Sequence, residues 1–207
     1  MGVTAMSLSI NYSPELQQAV QETQDEAFRA SEVGLFHEMA HAAAVREAVA
    51  VLGDQFAEVL VFPAYTASEE QAEVNADRSR LILRILPERF ADHFGLQRFL
   101  RHQLGRLSDI LDRTFGYNAG VPDGLVLTPA LQRRSCLPWN CSIDGRIART
   151  GGSPMHGRQE YGAVFGRLYP GLPGKAIEAA IGQLWEAERP SFGHLMHMAA
   201  DLAAVPV

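Results

Sequence analysis

The sequence predicts an α+β fold, mainly α-helical with a small β-sheet, in a single domain spanning residues 1–207. Three observations lead there. Leucines recur at helical spacing through residues 96–115, and Ile177, Ile181, Leu184 and Trp185 do the same near the C-terminus. One stretch, residues 56–65 (Phe-Ala-Glu-Val-Leu-Val-Phe-Pro-Ala-Tyr), reads clearly as a strand: β-branched and aromatic residues fill it and a proline marks its end. The 207 residues are 47% hydrophobic and 20% charged, a globular balance with enough chain for one sizeable core.

Taken in order, residues 1–12 form an extended lead-in. Ser13-Pro14-Glu15 starts a helix, with serine as N-cap, proline at the first helical position and an acid in the first turn. This helix is expected to reach about residue 30. Ser31-Glu32 restarts the chain as a second helix over 31–52, ended by Gly53. After the strand, Ser68-Glu69-Glu70-Gln71 has the form of a capping box and opens a third helix, which runs to Leu86 and is stopped by Pro87. Residues 96–115 make the best amphipathic helix. Leu96, Leu100, Leu104, Leu107 and Leu111 form its seam, and His102, Arg106, Asp109 and Arg113 lie opposite. Residues 118–128 are a loop rich in Gly and Pro, and Pro129 opens a short helix. Asp144-Gly145-Arg146 reads as a turn or helix start near the core, and 150–157 as another loop. Helices follow at 158–169, 175–188 and 191–204. Seven or eight helices are expected, gathered around 31–52 or 96–115.

Composition excludes several roles. A net charge of −6 argues against a general nucleic-acid surface. No apolar run approaches the ~20 residues of a membrane span, and the N-terminus lacks the pattern of a signal peptide. With two cysteines, this points to a cytoplasmic protein. Cys136 and Cys141 lack zinc-knuckle spacing and are expected to be buried thiols, ahead of a metal pair or a disulfide.

The chemistry centres on residues 35–44, Leu-Phe-His-Glu-Met-Ala-His-Ala-Ala-Ala. In a helix His37 and His41 leave the same face and could share one metal ion. Glu38 would hold a metal-bound water and take its proton. Helix 31–52 is apolar nearly all round, and such a helix accepts two imidazoles and a carboxylate only if they are paired or bound. A carboxylate partner for the histidines would satisfy them as well. The His-Glu-x-x-His pattern resembles the zincin metallopeptidases.

That resemblance implies a third ligand on a later helix, in a Glu-x-x-Ala/Ser-Asp pattern. Glu73-Val-Asn-Ala-Asp77 fits, with Glu73 on the metal and Asp77 orienting a histidine. The exposed first turn of an ordinary helix would carry the same acids. The continuation from Arg78 into Leu86-Pro87-Glu88 is similar to bacterial metallopeptidases of the repressor-cleaving and radiation-resistance type, a likeness covering about residues 35–95. Zincins, however, place the metal helix after a backing helix and a small sheet, and here the strand follows His41.

Helix 96–115 has the expected place in that order. Residues 100–117, with His102, Gln103, Arg106, Asp109, Asp112 and Phe115-Gly116-Tyr117, resemble an uncharacterised bacterial family that reads Arg-His-Glu-Leu-x-His-x-x-Asp-Met-Leu-Asp-Pro-x-Phe-Gly-Tyr. Trp139-Asn-Cys141-Ser-Ile-Asp144-Gly145-Arg146 looks like the same family's Trp-x-Cys-Ser-x-Asp-Gly-Arg. Gln103 stands where that pattern has its glutamate and Arg106 where it has its second histidine. A glutamine is no general base, and a guanidinium repels a cation. The alternative for this face is a solvated helix surface with local ion pairs. His194 and His197 could share one face of the last helix.

Two functions are therefore expected. One is a zinc-dependent, peptidase-like hydrolase, with zinc on His37, His41 and Glu73 and with Glu38 as general base. The other is an inactive zincin-like scaffold whose degenerate site includes His102, Gln103, Arg106, Asp109 and Asp144, acting as a binding, regulatory or assembly protein. The partner in either case is a peptide or protein, with neither nucleic acid nor membrane involved.

Overall fold

The computed structural model describes residues 9–23, 45, 48–49, 56–118, 120, 122 and 124–202. The fold is α+β: mostly helical, with one small four-stranded mixed sheet. The chain divides into two compact units, residues 1–107 and 108–207. Among the described residues no helix is long and apolar enough to cross a membrane.

The first unit is built on the sheet, in the order β1-β2-β4-β3. Strands β1 (Ser9–Tyr12), β2 (Glu58–Pro63) and β4 (Arg80–Ile85) run parallel, while β3 (Gln71–Val74) pairs antiparallel with β4. Between β1 and β2 lies helix α1 (Pro14–Thr23), started as expected by Ser13, whose Oγ accepts the Leu16 amide at 3.2 Å. Helix α1 packs on β2 and on a 3-10 helix, Pro87–Ala91. One sheet face is fully apolar: Val59 and Val61 on β2 and Leu81, Leu83 and Ile85 on β4 are buried. Each of these side chains contributes about 1.5–3 kcal/mol of burial. The opposite face is mixed: Leu60, Phe62 and Ile82 lie half-buried among charged residues. Arg80 pairs with Glu58 at 2.9 Å, and Asn11 donates to Glu58 at 2.6 Å.

The strand at 56–65 is present as β2. The expected helix over 68–86 is not; the chain there forms the β3–β4 hairpin. Arg80-Leu-Ile-Leu-Arg-Ile buries every second residue, a period of two, because successive side chains of a strand point to opposite faces, and β4 is paired on both sides. The apparent capping box serves the loop instead. Glu69 accepts the Tyr65 amide at 2.7 Å, and Glu70, its side chain 3% exposed, accepts the Leu86 amide and holds the Arg89 guanidinium. Arg89 in turn lies over the Phe99 ring, 4.2 Å from its centroid. A turn around Arg78, at φ 60°, closes the hairpin. Of helix 31–52, Val45, Ala48 and Val49 are described, and they are helical and buried.

Helix α2 (His93–Leu111) begins in the first unit and ends in the second. Its leucine seam is buried as expected at Leu96, Leu100, Leu104 and Leu107. The helix stops at Leu111, where Asp112 caps a turn, so Phe115 follows it rather than ending it.

The second unit is all helical among its described residues: α3 (Pro129–Arg134), α4 (Leu137–Arg149), α5 (Arg158–Leu168), α6 (Gly174–Glu186) and α7 (Phe192–Ala200). Thr128 caps α3 and Ser191 caps α7 through their hydroxyls. Helix α4 packs on α6 and α7, and α5 on α6. Phe115, Trp139, Tyr161, Phe165, Trp185 and Phe192 fill the core between them. Asp144-Gly145-Arg146, expected at a turn or helix start, lies instead well inside α4.

Candidate functional site

The residues of the first motif, His37, Glu38 and His41, lie outside the described residues. Glu73 does not sit on a helix. It faces outward from β3, its side chain 46% exposed, accepting from Gln71 and pairing with Arg84 at 3.9 Å. Asp77 lies in the hairpin turn, where its carboxylate accepts the Ser79 amide at 2.9 Å. Hydrogen bonds from Ser79, first its side chain and then its backbone, hold Asp77 below the usual carboxylate range. The Glu-x-x-Ala-Asp reading needs both acids on one helix face, and an extended strand followed by a tight turn does not provide it. Among the described residues no three His, Cys, Asp or Glu side chains come together as a metal would require.

On α2, His102 is buried in the first unit, while Gln103 and Arg106 are half-buried. Asp109, in the second unit, is buried too, while Arg113 is exposed, so the face that the alternative reading expected to be solvated is solvated only in part. The Asp109 side chain, 1% exposed, takes both terminal nitrogens of Arg146 and the indole N–H of Trp139, the last at 2.8 Å. The Arg189 Nε lies 3.8 Å from the same carboxylate. Arg189 also donates to Asp112 at 2.6 Å. The hydroxyl and then the amide of Thr114 hold Asp112 below its ordinary range, with help from Arg189.

Asp144 is equally occupied. It accepts the Met155 amide at 2.9 Å, the His156 amide at 3.0 Å and the Tyr161 hydroxyl at 2.7 Å, and so pins the 150–157 loop to α4. Burial and then the Asp144 charge push the Tyr161 phenol far up. The same two causes push the Cys141 thiol up to about 12. Cys141 is buried as expected, whereas Cys136 is exposed, and neither is in a disulfide.

Gly145, between the two anchoring residues, sets a backbone contact. A Cβ there would lie 2.3 Å from the Trp185 carbonyl oxygen and 2.6 Å from its Cα, so α4 and α6 meet only because position 145 has no side chain.

Asp109 and Asp144 therefore act as anchors. Each already takes at least three donors, which leaves little lone-pair capacity for a substrate, a proton relay or a metal ion. Trp139, Gly145, Arg146, Tyr161 and Arg189 complete this arrangement. Nothing in the local pattern of the sequence pairs Arg146 with an acid 37 positions earlier. His194 and His197 are both exposed on α7. No family model, no curated protein and no solved structure matches the chain.

Proposed function

We propose that the chain is a zincin-like scaffold that binds a peptide or protein partner and performs no metal-dependent hydrolysis. The observation that carries this reading is the use of the acids in the second motif. Asp109 and Asp144 are buried and spent on Arg146, Trp139, Tyr161 and two loop amides. The positions that would do chemistry hold Gln103, which is no general base, and Arg106, whose guanidinium repels a cation. Chain order supports the location, since α2 follows a helix and a small sheet, as the metal helix of a zincin does.

A second reading keeps the hydrolase, with zinc on His37 and His41 and with Glu38 as base. It is favoured by Val45, Ala48 and Val49, which are helical and buried just after His41. On this reading Glu73 would have to exchange Arg84 for the metal.

The test is zinc content and chelator-sensitive cleavage of a mixed peptide library, measured on untagged protein with His37→Ala and His102→Ala variants. The scaffold reading expects substoichiometric zinc in all three proteins and no cleavage that a chelator abolishes. One zinc per chain, lost in His37→Ala and kept in His102→Ala, would overturn it in favour of the hydrolase.

A further inference from the structure

We draw no further inference here: the strongest candidate, the exposed apolar side chains of Val126 and Leu127 in the loop before Thr128 of the second unit, is an apolar surface for which nothing in the structure shows what covers it.

Discussion

Replacing Asp109 by asparagine keeps the shape of the side chain and removes its charge. The Arg146 side chain is 18% exposed, so most of its guanidinium would remain out of water with no counter-charge. Removing one partner of a buried ion pair costs about 3–5 kcal/mol. Because an edge of Arg146 reaches solvent, and because asparagine can still accept from Trp139, the lower end applies, about 3 kcal/mol. Both tryptophans, Trp139 and Trp185, lie after residue 108, so their fluorescence in urea reports the second unit. With a slope of about 2 kcal/mol/M the midpoint should fall by about 1.5 M. Arg146→Met should lose a similar amount. The double variant should lose less than the sum by about 2 kcal/mol, since residues that share one network are coupled. Two results would refute the reasoning: an asparagine variant within about 0.5 kcal/mol of the parent, in the range of ordinary surface substitutions, or two losses that simply add.

Gly145→Ala forces a methyl group against the Trp185 backbone and should cost about 3 kcal/mol or more, whereas Gly162→Ala in α5, with nothing within 4 Å, should be neutral or gain up to about 1 kcal/mol; urea melts of the pair check the contrast. Asp144→Asn swaps one acceptor for a donor facing an amide, and faster hydrogen exchange at Met155 and His156 than elsewhere in the second unit is the expected result. A thiol reagent at pH 8 should label Cys136 quickly in the native protein and Cys141 only after unfolding. Cys141 and Tyr169 are both raised to about 12 in the folded chain, from 9.0 and 10.0, so the unfolded chain releases these protons first. Their contribution is complete below pH 9 and is lost as pH rises toward 12, by up to about 1.4 kcal/mol per pH unit for each group; a stability curve flat from pH 9 to 11 would contradict this.

Local signals in the sequence are borne out where the decisive interactions are local. Ser13 starts α1 and Pro129 follows the Thr128 cap of α3, since each cap bond closes within three residues. The leucine seam of α2 and the strand at β2 also follow from spacing alone. The β3–β4 hairpin was not legible in the same way. Leu81, Leu83 and Ile85 alternate, yet with Ile82 and Leu86 they also satisfy a helical period, and only pairing with β2, some twenty residues earlier, selects the strand. The second motif was visible as a pattern but not in its role. Its pattern holds Trp139 and Arg146 but does not say that both serve Asp109, 30 and 37 positions earlier, and Met155 and Tyr161, the partners of Asp144, lie outside it.

Asp144, Gly145 and Arg146 leave α4 in directions about 100° apart. One fixes the 150–157 loop, one the distance to α6, and one the end of α2. Inserting a single residue upstream within α4 would turn all three away from their targets together. The rotational phase of one helix thus sets the alignment of its neighbours.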